Sequence, residues 1–157
     1  MAELKEGQKA PEFTLESTEG KKISLQDFKG RKNVVLYFYP KDMTSGCTAE
    51  ACSFRDNLAR VTKTGAVIFG VSVDDVKSHQ KFTEKYELNF PLLADTEKEV
   101  VNAYGVWKKK SMYGREYMGI ERTTFIIDKS GKIAKIFPKV KVNGHTDEVL
   151  KALSELK

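Results

Sequence analysis

Cysteine, tryptophan and proline are scarce in this 157-residue sequence, at two, one and four residues. Two cysteines allow one bridge at most, which excludes a small domain scaffolded by disulfides. No run of about eighteen apolar residues occurs, so no segment is expected to span a membrane. The opening stretch Met1–Phe13 carries neither an apolar signal core nor a cleavage pattern. A cytoplasmic protein is therefore expected, and in that compartment transient thiol chemistry is favoured over a lasting disulfide. Only His79 and His145 supply imidazole. They are far apart, and cysteines at i, i+5 are a poor zinc pair, so no metal or other cofactor is expected. Both histidines read as surface residues. Charge of one sign is in small excess, 27 basic against 22 acidic residues for a net +5. The charges are interspersed apart from the run Lys108–Lys110, which reads as a solvated loop. Without zinc-finger spacing or an RNA-binding aromatic signature, this excess keeps a protein soluble rather than marking a nucleic-acid binder.

What the sequence does have is an alternation of apolar runs and helical stretches, with 40% hydrophobic residues overall. "EFTLEST" and "KKISL", around "TEG", predict an amino-terminal hairpin, and Asp27-Phe28 a single helical turn before Gly30. "NVVLYFY" (33–39) and "AVIFGVSV" (66–73) are continuous apolar runs, as strands buried on both faces should be. A helix is expected over about 45–63. A second, capped by Asp74 or Asp75, should run to about Tyr86, and Pro91–Ala94 should form a short strand. Asp95 should cap a helix ending near Gly105. "TTFIID", "KSG" and "KIAKIF" form a hairpin, and Thr146 should cap a last helix. Residues 1–157 read as one α/β domain, a central mixed β-sheet flanked by helices with an N-terminal β-hairpin extension. That is the layout of the thioredoxin fold.

Both cysteines lie in "YPKDMTSGCTAEACSFRD" (39–56). Pro40 ends the preceding strand, and Asp42, Thr44 or Ser45 can cap the helix that follows. Each choice puts Cys47 in the first turn, where unpaired N–H groups and the positive dipole end favour a thiolate. A thiol of pKa ~8.5 is about 3% ionised at pH 7, and one of ~6 about 90%. The gain is partly lost because a less basic thiolate is less nucleophilic, so the site must also stabilise charge moving onto a substrate. The apolar stripe Ala51, Phe54, Leu58, Val61, extended back four positions, lands on Cys47 and turns it to the sheltered side. Cys52 faces outwards or sideways. In an intact helix their Cα atoms stand ~8.6 Å apart, beyond the ~7 Å a disulfide tolerates. Either they never bond or the first turns of the helix unwind, which Gly46 and the polar opening make inexpensive.

These residues resemble the peroxiredoxins, specifically the PrxQ or bacterioferritin-comigratory-protein group. The signature Pro-x-x-x-Thr-x-x-Cys is filled by Pro40, Thr44 and Cys47, and Cys52 matches the group's resolving cysteine. "GQKAPEFTL", "GVWKKKSMYGREYMGIERTTFIID" and "FPKVKVNGHTDEVLKAL" extend the resemblance over nearly the whole chain. Met43 and Ser45 depart from the commoner Asn and Pro, at positions that carry no chemistry.

The resemblance implies a thioredoxin fold and a metal-free thiol peroxidase acting on hydrogen peroxide and alkyl hydroperoxides. It implies Cys47 as the nucleophile that becomes a sulfenic acid. Thr44 would hydrogen-bond the substrate, Arg122 would stand beside the sulfur, and Pro40 would shield it from water. Cys52 would then form a Cys47–Cys52 disulfide, which thioredoxin or a similar dithiol reduces. Alternatives are a one-cysteine peroxidase resolved by an external thiol, and a redox-sensing or holdase protein switched by the same disulfide. A monomer is expected, with a weak dimer as the alternative. Glu50, one turn after Cys47, reads as a solvated helix glutamate, with orienting an arginine or tuning the pocket as the alternative. Trp107, Tyr113 and Tyr117, in an expected loop before Arg122, read as a pocket wall or a dimer contact.

Overall fold

The computed structural model describes residues 4–156. Its core is built around β3 (Asn33–Phe38), whose six residues are all buried. Successive side chains of a strand point to opposite faces. Accordingly Val34, Leu36 and Phe38 enter one hydrophobic cluster, while Val35, Tyr37 and Tyr39 enter the other. β3 pairs in parallel with β4 (Ala66–Ser72) and antiparallel with β8 (Thr123–Ile127). Beyond β4 lie β5 (Leu92–Ala94), β1 (Thr14–Ser17) and β2 (Lys22–Ser24); beyond β8 lies β9 (Ile133–Phe137). The result is a seven-stranded mixed sheet in the order β2-β1-β5-β4-β3-β8-β9. The expected hairpins at 14–24 and 123–137 are both present.

Helices cover both faces. One cluster holds Ala51 and Phe54 of α1 (Ser45–Asp56), Val61 of α2 (Leu58–Lys63), Phe82 of α3 (Val76–Tyr86), and Val149 and Leu153 of α5 (His145–Ser154). The other holds Val100 and Val101 of α4 (Glu99–Ala103), with Leu25 from the single helical turn Leu25–Phe28. Burying a side chain such as Phe54 or Phe82 stabilises the fold by about 1.5–3 kcal/mol.

Several boundaries differ from expectation. The helix expected over 45–63 is broken at Asn57, whose backbone leaves helical geometry (φ −114, ψ 10). Its side-chain amide donates to Ser53 O at 2.8 Å, the local competition that makes Asn a weak helix former. Asp75, one of the two expected caps, does cap α3, accepting from Ser78 N at 2.8 Å. Asp95 does not cap α4; Lys98 does, while the Asp95 carboxylate accepts from Val101 N at 2.8 Å. Thr146 lies inside α5, and Gly144 caps it at φ 81, a conformation open to glycine.

The stretch before Arg122 is no loop. β6 (Trp107–Met112) and β7 (Arg115–Ile120) pair antiparallel as a separate two-stranded sheet. Tyr113 and Gly114 turn it with φ 52 and 77, the positive values that two-residue hairpins demand. The run of three consecutive lysines, Lys108–Lys110, hid the strand. Lys109 is exposed and ion-paired to Glu116, Lys108 pairs with Glu121, and Lys110 is half-buried.

Candidate active site

β3 delivers the chain through Tyr39 and a half-buried Pro40 to the start of α1. Thr44 is the N-cap in extended geometry, so Cys47 is the third helical residue. The Thr44 hydroxyl does not cap the helix; it donates to Lys41 O at 2.9 Å. The first-turn amides are thereby left facing the sulfur end of the helix without a capping oxygen, a setting that suits an anion. Cys47 is 1% exposed and Cys52 partly exposed, both as free thiols in one unbroken helix.

Arg122 comes from the segment that joins β7 to β8, one residue before the strand that pairs with β3. Its Nη2 donates to Cys47 Sγ at 3.4 Å and its Nη1 to Glu50 Oε1 at 2.7 Å. Gly46 makes room for it: a Cβ there would stand 3.1 Å from Nη2. Burial works against the guanidinium's charge, but Glu50 and Cys47 beside it outweigh that and hold its pKa above the ordinary value.

Glu50 corrects the expectation of a solvated glutamate. It is 1% exposed, one helical turn after Cys47, with Oε2 lacking a partner. Burial pushes its carboxyl from 4.5 up to about 7, and Arg122 only partly offsets this. The carboxyl and the sulfur thus share one guanidinium. Lys110, on β6, also reaches this region. Its ammonium is held below the ordinary lysine value by burial and then by the charge of Arg122, while Cys47 pulls it the other way.

Both histidines are buried, against expectation. His145 places Nε2 2.8 Å from Thr124 Oγ1 and Nδ1 3.2 Å from Glu148, and burial pushes its imidazole below the ordinary value. His79 belongs with Asp42 and Asp74 to a group close enough to hold a metal ion. Those atoms are already engaged with protein: Asp42 with Tyr39, Ser78 and His79, Asp74 with Ser72 and the Asp42 amide, His79 with Leu93 O. The group is a hydrogen-bonded node. Sequence reasoning missed Lys110 and this node because their partners lie far along the chain, and for Glu50 it favoured the solvated reading over the arginine-orienting one.

Arg122 therefore meets Cys47 in the first turn of α1, with Thr44 at the N-cap of that helix, Pro40 between β3 and the helix, and Cys52 five residues along it. A sulfur held between a cation and a helix start can act as a nucleophile and shed charge onto the atom it attacks.

The AhpC/TSA family matches residues 6–136. A putative peroxiredoxin bcp of Coxiella burnetii is 55% identical over 144 residues, 92% of this chain and 95% of that protein. Peroxiredoxin Bcp of Bacillus subtilis is 51% identical over 150 residues, 96% of this chain and 95% of that one. A solved bacterioferritin comigratory protein of Xanthomonas campestris, described for its alkyl peroxide reduction activity, superimposes with a TM-score of 0.88. It is 40% identical and covers 96% of this chain and 98% of its own.

Proposed function

Because this chain belongs to the AhpC/TSA family, in its Bcp and PrxQ group of peroxiredoxins, we propose a role for each residue at the head of α1. It is a thiol peroxidase with the thioredoxin-like peroxiredoxin fold, acting on peroxides with a thiol reductant. Cys47 is the nucleophile. Its thiolate attacks one peroxide oxygen, the O–O bond breaks, and a proton goes to the departing alkoxide or hydroxide, leaving Cys47 as a sulfenic acid and releasing alcohol or water. Arg122 stabilises the sulfur anion before attack and the leaving oxygen during it. The contact that carries this reading is Nη2 to Sγ at 3.4 Å.

Thr44, with its hydroxyl proton given to Lys41 O, has lone pairs free to accept from the peroxide O–H. Pro40 walls the sulfur from water. Glu50 is a positioning residue that sets the tilt of the guanidinium through its 2.7 Å bond. Cys52 then attacks the sulfenic sulfur, expelling water and forming the Cys47–Cys52 disulfide, which thioredoxin or a similar dithiol returns to two thiols. An unbroken α1 keeps the sulfurs apart, so its first turns must unwind for this step. Hydrogen peroxide and alkyl hydroperoxides are the substrates, in a cytoplasmic, monomeric enzyme.

Mass analysis of the protein quenched after one equivalent of peroxide tests the scheme. An internal disulfide, lighter by two hydrogens, is expected. A stable sulfenic adduct with Cys52 still free would point to external resolution instead. Turnover with thioredoxin and its reductase separates enzyme from sensor, because a sensor consumes peroxide only stoichiometrically.

A further inference from the structure

Asp42 and His79 take no part in those steps, yet both are buried, at 5% and 0% exposed. Asp42 Oδ1 accepts from Tyr39 OH at 2.6 Å, and Oδ2 from Ser78 Oγ at 2.7 Å. Asp42 Oδ2 also lies 2.7 Å from His79 Nδ1. His79 Nε2 lies 2.9 Å from Leu93 O, a carbonyl that only accepts, so this nitrogen donates. The imidazole of α3 therefore bridges the active-site loop to β5.

The loop needs such a brace. Between Pro40 and Thr44 the chain turns from β3 into α1, and Met43 takes φ 70, a left-handed conformation that a residue with a side chain holds only when its neighbours fix it. Asp42, just before it, is fixed by its carboxylate bonds and by its amide, which donates to Asp74 Oδ2 at 2.9 Å. Two residues later stands the Thr44 hydroxyl, bonded back to Lys41 O. Asp42 thus lies in the short turn between Lys41, whose carbonyl orients that hydroxyl, and Thr44, which opens the Cys47 helix.

We propose that His79 is a positioning residue for peroxide reduction: acting through Asp42, it holds the Pro40–Thr44 segment in its reactive shape while α1 beyond it opens and recloses. This rests on the roles given above to Thr44 and Cys47.

Two amide variants separate the two bonds of the ring. In His79→Asn the side-chain NH2 takes the place of Nδ1 and can still donate to Asp42. In His79→Gln it reaches the place of Nε2 and Leu93 O, leaving Asp42 without that donor. Both lose the packing of the ring against Tyr39, whose centroid is 6.2 Å away. The readout is the second-order rate constant for oxidation of reduced protein by hydrogen peroxide, by quenched-flow mass analysis well below each variant's unfolding midpoint. His79→Gln is expected to lose about tenfold or more, and His79→Asn to stay within about threefold of wild type. Equal loss in both, as a purely structural role would give, or no loss in either, overturns the proposal.

Should His79→Gln not fold, Tyr39→Phe decides. It removes one donor from Asp42 and keeps the ring, and a loss of about threefold is expected; a wild-type rate overturns the proposal. A wild-type protein that peroxide does not oxidise overturns the reading of Cys47 along with this one. A fast wild type with unaltered variants overturns this inference alone.

Discussion

The two halves of α1 are held in different ways. From Ser45 to Ala51 the helix is tied by the core contacts of Cys47 and Ala51 and by Arg122, which bonds both Cys47 and Glu50. From Ser53 onward it is pinned to three other parts of the chain. Ser53 Oγ meets Thr146 Oγ1 of α5 at 2.6 Å, Arg55 Nη1 donates to Tyr86 O of α3 at 2.6 Å, and Asn89 Nδ2 donates to Arg55 O at 3.2 Å. Phe54 adds a side chain with no exposure and stacks on Tyr37 at 4.9 Å. Cys47, the proposed nucleophile, thus sits on the half that one guanidinium secures, and Cys52, the proposed resolving thiol, next to the half that is anchored. In the proposed scheme, attack by the Cys47 thiolate leaves a neutral sulfenic acid and weakens the Arg122 contact, so the loose half is the one expected to open.

Substitutions at the two halves should therefore differ in kind. The largest effect is expected from Cys47→Ser, which removes the reacting atom and should reduce peroxide consumption to background in a steady-state assay. Cys52→Ser should leave the first oxidation at the wild-type rate but stall afterwards unless a small thiol is added; slow first oxidation there would erase the contrast between the halves. Arg122→Gln comes next. It removes the cation while leaving an amide, and the first oxidation should slow by about 10²-fold or more, as losing a charge-stabilising donor does elsewhere.

Glu50→Gln sharpens the same region through pH. Because burial holds the Glu50 carboxyl at about 7 rather than 4.5, the folded protein keeps a proton that the unfolded chain has lost. The resulting stability is present in full below pH 4.5 and is lost as pH rises through about 7, a difference on the order of 3 kcal/mol. Urea unfolding of wild type between about pH 5 and about pH 8 should show this fall, and Glu50→Gln should lack it. The smallest effect is expected in the anchored half. Thr146→Val removes the hydroxyl facing Ser53 and should cost about 1 kcal/mol of stability by denaturant titration, with the first oxidation unchanged.

The same contrast explains what could be read from the sequence. The stripe Ala51, Phe54, Val61 fixed the buried side of the helix and, extended back, the sheltered position of Cys47, because a helical period is a local property. Continuous apolar runs likewise marked β3 and β4 as buried on both faces. For Glu50 the solvated reading outweighed the arginine-orienting one because nothing local distinguishes a buried glutamate from a solvated one; its partner lies 72 residues away. His79 escaped for the same reason, with Asp42 37 residues distant. The β6–β7 hairpin was hidden by its composition. Exposed on most positions and paired only with itself, it shows no alternation of apolar residues, and only the Tyr113-Gly114 turn marks it. Arg122 was found through resemblance, since an arginine ahead of a strand is usually an ordinary surface residue.

Amide hydrogen exchange across α1, in the reduced protein and after one equivalent of peroxide, tests the central claim most directly. On oxidation, the hydrogen-bonded amides of residues 48–51 should lose protection by about tenfold or more while 53–63 change by less than about twofold. Equal protection of 48–51 in both states would contradict it, because the two sulfurs would then have no route to each other.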